Sequence, residues 1–158
     1  PDLRELVMGS EGRLGIITEV KVRVSEAPER EAFHVAFVPD WTTGVALARR
    51  MVQARVPLSM LRLSNAEETR TQLTLAGHER LVHALNRYLA LRGNADGEKC
   101  MLTFGVTGEP RHCRRALAEA RRQIRSVGGV MTGRTLGRKW EEARFRSPYL
   151  RHGLWAVP

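Results

Sequence analysis

The feature that most constrains the fold is a strand–helix–strand pattern that occurs twice between residues 33 and 136. Alternating apolar residues indicate strands, and apolar residues three or four positions apart indicate helices. The predicted strands are 33–37, 58–63, 100–106 and 130–136, and the predicted helices between them begin with a cap at Thr42 or Thr43 and with Pro110. Two such βαβ units predict an α+β, ferredoxin-like fold, an antiparallel sheet with helices on one face.

The second and third strands are separated by a helical insertion. Residues at helical spacing from Leu81 to Arg92 mark this helix, and Gly93 and Asn94 provide a C-terminal stop. Because side chains alternate along a strand, the other sheet face is predicted to be open, small, polar and basic. The residues predicted for that open face are His34, Ala36, Met60 and Arg62, and those predicted for the helix-covered face are Phe33, Val35, Phe37, Leu61 and Leu63.

Charge and cysteine content limit the partners. Lys and Arg number 26 against 17 Asp and Glu, and the formal net charge of +9 raises nucleic acid, an anionic membrane or phosphorylated small molecules as partners. Six arginines lie between residues 111 and 125, where a solvated outer helix face is the simpler interpretation. Cys100 and Cys113 form no CxxC motif, so no metal site is predicted; both are expected in the core, in a reducing compartment, and a disulfide between their two elements is the alternative.

A glycine-rich segment precedes the first βαβ unit. Gly9, Gly12 and Gly15 lie within seven residues, ahead of an apolar stretch, 16–24, that is predicted to be a strand. Glycines permit close backbone approach, so consecutive N–H groups can face an anion or the polar edge of a ring. The segment is neither a Rossmann fingerprint nor a Walker loop, and a structural turn remains the alternative. A Pro-containing, charged connector at 25–31 predicts a domain boundary.

Residues 7–20, VMGSEGRLGIITEV, resemble the GSEGTLGIITE segment of FAD-linked oxidases of the vanillyl-alcohol oxidase type. The resemblance implies FAD as cofactor, with residues 1–27 as the tail of an FAD-binding domain and 28–158 as an incomplete substrate-binding cap domain. It implies flavin contacts for Glu11, Gly12, Arg13, Leu14, Gly15, Ile16 and Ile17. Arg13 stands where the family has Thr, so the contact implied at this position is one of backbone.

Three further segments, 35–37, 57–64 and 144–151, resemble the cap domain of the alkyldihydroxyacetonephosphate synthase branch of that family. The resemblance implies an enzyme that exchanges acyl for alkyl on a dihydroxyacetone-phosphate ester, in ether lipid synthesis. It also implies a catalytic role for Arg62 and substrate binding by Arg151. From the residues alone, an ion pair of Arg62 with Glu67 or Glu68, and a surface ion pair of Arg151, remain alternatives.

Two other functions stay open. The glycine-rich segment is shared with flavin dehydrogenases for 2-hydroxy acids such as glycolate or lactate, whose carboxylates would also suit Arg62. A ferredoxin-like RNA-binding module is the third hypothesis, but the predicted open face has no aromatic residue for base stacking, so we expect no nucleic acid partner.

The resemblance also sets expectations for the whole protein. We expect a cytoplasmic, bacterial enzyme, with association with a membrane surface and a homodimer left open. We expect the isolated 158-residue segment to be inactive, since the family's main FAD phosphate loops and acid/base tyrosine would lie outside it.

Overall fold

The computed structural model describes residues 2–24, 26–75, 79–94 and 97–143. Within them the elements are α1 Leu3–Val7, β1 Arg30–Val38, α2 Trp41–Gln53, β2 Met60–Ser64, α3 Ala66–Leu75, α4 Glu79–Leu91, β3 Cys100–Gly108, α5 Pro110–Ser126, β4 Val130–Met131 and α6 Arg134–Ala143. In these described ranges, no helix is both long and apolar enough to cross a bilayer.

The four strands form one antiparallel sheet in the order β2-β3-β1-β4. Each βαβ unit therefore places its two strands apart, with a strand of the other unit between β1 and β2, as in a ferredoxin-like sheet. The predicted fold class is confirmed.

Helices α2 and α5 cover one face of the sheet. Leu47 and Met51 of α2 and Ile124 of α5 pack on the side chains of Leu102 and Phe104. The predicted cap of α2 was wrong by two or three residues. Asp40 is the N-cap, and its carboxylate accepts hydrogen bonds from the Thr43 N–H at 2.8 Å and hydroxyl at 2.9 Å. A carboxylate is a strong acceptor for the free N–H groups of a first turn.

The predicted assignment of strands to faces was wrong for β1 relative to β2. The register pairs His34 with Phe104 and Phe104 with Leu61, whereas Val35 pairs with Thr103 and Thr103 with Arg62. The face under α2 and α5 therefore contains His34, Ala36, Leu61 and Leu63, and the opposite face contains Phe33, Val35, Phe37, Met60 and Arg62. Alternation relates residues within one strand, but only pairing relates two strands.

The second face is not open. Leu73 of α3, Leu89 of α4 and Leu136 of α6 pack in one apolar cluster with Val35 and Phe37. His34, predicted to be exposed, lies under the other helical layer with 3% exposure and stacks on the Phe104 ring, with 5.4 Å between the ring centroids.

The fourth strand is shorter than predicted. It ends at Met131, Gly133 has a φ of +77°, and α6 begins at Arg134. Helix α6 then lies directly on β1, because a Cβ atom placed on Gly137 would come within 1.9 Å of the Phe33 carbonyl oxygen. The inserted helix, in contrast, is confirmed, and Gly93 with a φ of +81° follows its last turn.

The strand predicted at residues 16–24 is absent from the described structure. Residues 16–24 have no regular secondary structure, and Ile16 and Val24 are 93% and 82% exposed. A strand exists by hydrogen bonding to a neighbour, and no described residue provides one here.

Candidate functional site

The glycine-rich segment forms two linked turns. The Ser10 N–H donates to the Val7 carbonyl at 3.1 Å, and the Arg13 N–H donates to the Ser10 carbonyl at 3.1 Å. Glu11 and Gly12 between them have φ values of +52° and +79°. A Cβ atom on Gly12 would meet nothing within 4 Å, so the backbone conformation explains this glycine better than crowding does.

The backbone N–H groups after the second turn are free for a ligand. Those of residues 14–17 donate no hydrogen bond to any residue that the structure describes, and all four residues are exposed. Backbone donors require a partner, here water or a bound group. Within the predicted contact segment 11–17, residues 14–17 therefore provide a row of amides that could donate to a bound group, whereas the Arg13 N–H is used within the turn.

Arg62 lies on β2, which pairs only with β3 among the described residues. Its neighbour in the register is Thr103, on the sheet face opposite α2 and α5. The guanidinium forms an ion pair with Glu68 on α3, and the two side chains are 49% and 39% exposed. The ion pair that was an alternative for Arg62 is therefore present, with Glu68, while Glu67 contacts Arg70 at 3.3 Å.

Glu68 belongs to a short polar network that sequence reasoning missed. Its Oε1 also accepts a hydrogen bond from Gln72 Nε2 at 3.1 Å, and Gln72 Nε2 lies 3.2 Å from Ser64 Oγ. The first turn of α3 is fixed by Asn65, whose Oδ1 accepts from the Glu68 N–H at 2.8 Å. An Asn followed three residues later by Glu is a helix-start pattern, and it was the available signal for α3.

The charge state of Glu68 follows from this network. Partial burial acts to raise the pKa of its carboxyl, but the hydrogen bond and charge of Arg62, with hydrogen bonds from Ser64 and Gln72, outweigh burial. The pKa lies below the ordinary 4.5 as a result. Glu68 is an anion at neutral pH, and its ion pair with the guanidinium is maintained.

Arg62 keeps hydrogen-bonding capacity after pairing with Glu68. The contact uses Nη2, and within the described ranges no other partner is recorded for the guanidinium. Since a guanidinium carries five N–H donors in a planar fork, one edge remains for a planar or tetrahedral anion. This edge can bind a phosphate or a carboxylate.

The other predicted site residues are not joined to Arg62 in the described structure. No hydrogen bond or ion pair links residues 11–17 to Arg62 there, and Arg151 lies outside the described residues. No group of His, Cys, Asp and Glu in the described ranges could hold a metal ion. Cys100 and Cys113 are free and buried, as predicted.

A separate cavity of about 410 Å³ lies between α3, α4 and the chain entering β3. Its lining includes Thr69, Arg70 and Leu73 of α3 and Asn86 of α4. Glu68 and Gln72 lie on another side of α3, at the helical spacing of i and i+4. The cavity is therefore distinct from the Arg62 site.

Comparison with known proteins defines the class. The family described as FAD linked oxidases, C-terminal domain, matches residues 27–157. The chain belongs to this family, which confirms the prediction of an FAD-linked oxidase family of enzymes with FAD as cofactor.

Individual relatives agree with this class. The alkyldihydroxyacetonephosphate synthase of Trypanosoma brucei brucei is 22% identical over 166 residues, covering 98% of this chain and 27% of that protein. The uncharacterized FAD-linked oxidoreductase YgcU of Escherichia coli K12 is 32% identical over 112 residues, covering 70% of this chain and 19% of that protein. A solved structure of alkyldihydroxyacetonephosphate synthase has a TM-score of 0.79 at 23% identity, covering 98% of this chain and 29% of that chain. The chain thus spans less than a third of each relative, and the structural likeness supports the fold.

Proposed function

We propose that this chain contributes the cap of an FAD-dependent enzyme of the alkyldihydroxyacetonephosphate synthase type. That enzyme would replace the acyl group of an acyl-dihydroxyacetonephosphate with an alkyl chain. The observation that carries the proposal is Arg62, on the sheet face opposite α2 and α5, whose guanidinium keeps one donor edge free of contacts to the described residues. Similarity to the synthases over nearly the whole chain supports it.

In the proposal, residues 1–27 end an FAD-binding domain and residues 28–158 form the cap. The exposed backbone amides of residues 14–17 donate hydrogen bonds to the flavin, and residues 11–13 contact it through other backbone atoms. When bound, the flavin supplies the reactive ring at which the exchange takes place. This chain's residues bind and orient the substrate beside that ring.

Arg62 binds the phosphate of the substrate in this mechanism. A phosphate accepts two parallel hydrogen bonds from a guanidinium, which fixes orientation as well as position. Arg151 is proposed as a second contact to the substrate. Fixing the phosphate holds the ester carbon in one place, and such positioning is a large part of enzymatic rate acceleration.

The test is an exchange assay with the full natural chain loaded with FAD. An acyl-dihydroxyacetonephosphate and a radiolabelled long-chain alcohol should give a labelled, alkali-stable ether. Arg62→Met should lower kcat/KM at least about 100-fold, as expected for removing a charged bidentate contact. Absence of ether product, with reduction of an electron-accepting dye by a 2-hydroxy acid, would contradict the proposal.

The second candidate function is a flavin dehydrogenase for 2-hydroxy acids such as glycolate or lactate, and dye reduction without ether product would indicate it. The observation that favours it is the same free edge of Arg62, because a carboxylate accepts two hydrogen bonds in the same geometry. An RNA-binding function has less support, since Phe33 and Phe37 on the second sheet face are buried by helices and unavailable for stacking.

We further propose a cytoplasmic, bacterial enzyme whose outer helical layer approaches anionic membranes. The arginines of α5 are exposed, and within the part of the chain that the structure describes only Arg122 among them forms an ion pair, with Glu119 at 2.6 Å. Sedimentation with phosphatidylglycerol vesicles, but not with phosphatidylcholine vesicles, would support this association if salt abolishes it. A homodimer is also proposed, and light scattering of the full natural chain tests it.

A further inference from the structure

The orientation of Arg62 needs an explanation of its own, which rests on the function proposed above. A half-exposed arginine on an edge strand has many rotamers, and fixing them costs conformational entropy. The recorded partner of this guanidinium is the Glu68 carboxylate on α3. A guanidinium tethered at one nitrogen retains far fewer orientations than a free one.

Glu68 is itself held at several atoms. Its backbone N–H is bonded to the Asn65 side chain at 2.8 Å, which anchors the residue in the first turn of α3. Its Oε1 accepts from Gln72 at 3.1 Å, and Gln72 also contacts Ser64 at 3.2 Å. Ser64 is 1% exposed at the end of β2, so this chain of contacts connects the carboxylate to the sheet core.

We propose that Glu68 is a positioning residue, held by Gln72 and Ser64, that fixes Nη2 of Arg62 so that the remaining donor edge faces a phosphate monoester. The position of Glu68 follows from the chain itself, since β2 and α3 are joined by Asn65 alone and the carboxylate returns beside the strand. Glu68 neutralises part of the arginine charge, so its contribution is to orientation rather than to attraction.

Because Arg62 attracts the phosphate and Glu68 only orients Arg62, substitutions of Glu68 should affect kcat and KM differently. Glu68→Ala removes the negative charge that compensates the guanidinium and leaves the guanidinium less ordered, so KM for the phosphorylated substrate should stay the same or fall while kcat falls about tenfold. Glu68→Gln retains an acceptor oxygen and should keep kcat within about threefold of the natural protein. Gln72→Met removes both hydrogen bonds of Gln72 at similar side-chain volume, and its kcat should lie between those of Glu68→Ala and Glu68→Gln.

The chain provides a matched control in Glu67. This carboxylate is the preceding residue on α3, its side chain is 81% exposed, and it contacts Arg70. Glu67→Ala should change neither kcat nor KM. If Glu67→Ala and Glu68→Ala lower kcat equally, the effect belongs to the helix and the positioning role is wrong.

A binding measurement separates this inference from the proposed function. Calorimetric titration of the FAD-loaded full natural chain with glycerol 3-phosphate should show binding that Arg62→Met abolishes. Unchanged affinity in Arg62→Met would overturn the role of Arg62 and the inference with it. If Arg62→Met abolishes binding but Glu68→Ala and Gln72→Met both retain full kcat, only the positioning role fails. Melting temperatures of the variants check that each remains folded.

Discussion

The contact between α6 and β1 makes Gly137→Ala a sharp test of the second sheet face. In an ordinary helix this substitution stabilises by about 1 kcal/mol, because alanine is the better helix former. In this helix the added Cβ would lie 1.9 Å from the Phe33 carbonyl oxygen and 2.9 Å from the His34 nitrogen. The packing of α6 on β1 therefore reverses the expected sign.

The size of the destabilisation by Gly137→Ala follows from how far α6 has to move away from β1. Ordinary van der Waals contact begins near 3.4 Å, so α6 must retreat from the strand by about 1.5 Å or rotate. Inserting a methyl group into a packed region costs about 1–3 kcal/mol, and the upper end applies because the obstructing atoms are backbone. After the gain in helix propensity, we expect a net loss of about 2 kcal/mol, or about 4–8 °C in Tm for a domain of this size.

The assay is thermal unfolding followed by circular dichroism or calorimetry, with Gly44→Ala as the control. A Cβ on Gly44, in α2, would meet Leu63 Cδ1 at 2.8 Å and Val38 Cγ2 at 3.2 Å. These atoms are terminal methyl groups that can move by a small change of rotamer, so Gly44→Ala should change Tm by less than about 2 °C. A Gly137→Ala protein as stable as the natural one, or more stable, would refute the close packing of α6 on β1.

Four further outcomes are expected from local chemistry at Asp40, Cys100 and Glu68. Asp40→Ala should lower Tm and Asp40→Asn should restore most of it, since an amide oxygen can still accept from Thr43; equal losses would show that the cap is unimportant. The pKa of Asp40 is lowered by the Thr43 hydrogen bonds, so its stabilisation is present above the ordinary value of 3.8 and should be lost as pH falls through the lowered pKa. Burial, followed by the charge of Asp40, raises the pKa of the Cys100 thiol, so iodoacetamide at neutral pH should label Cys100 only after unfolding, as mass spectrometry can show. The lowered pKa of Glu68 implies stabilisation present above 4.5 and lost at lower pH, and Glu68→Gln should reduce the fall in Tm between neutral pH and about pH 4.

The elements that the sequence predicts correctly are those with long, regular patterns. β3 and α5 are examples, because alternation from Cys100 onward and Pro110 at a helix start are both local signals. The ferredoxin-like class followed from two βαβ units, since topology rules leave few alternatives.

The errors come from interactions that no local pattern contains. The relation of His34 to Arg62 depends on strand register, which is decided by pairing through β3. The end of β4 depends on Gly133 and on the close approach at Gly137, which only the packed structure reveals. The stretch 16–24 has strand-forming residues but no described partner strand.

In the candidate site, too, the sequence predicted which residues could interact but not how they are arranged, and this matters for Arg62. Its two interpretations, an ion pair with a nearby glutamate and a contact to an anionic substrate, compete only if the ion pair consumes the whole guanidinium. The observed contact with Glu68 engages one nitrogen of a five-donor fork, so the two roles are compatible. Since the ion pair restricts the rotamers that a bound anion would otherwise have to restrict, forming it beforehand lowers the entropic cost of binding. The presence of the ion pair is therefore no argument against a functional arginine. The kinetics of the Glu68 and Glu67 variants decide whether the ion pair orients Arg62 before the anion binds.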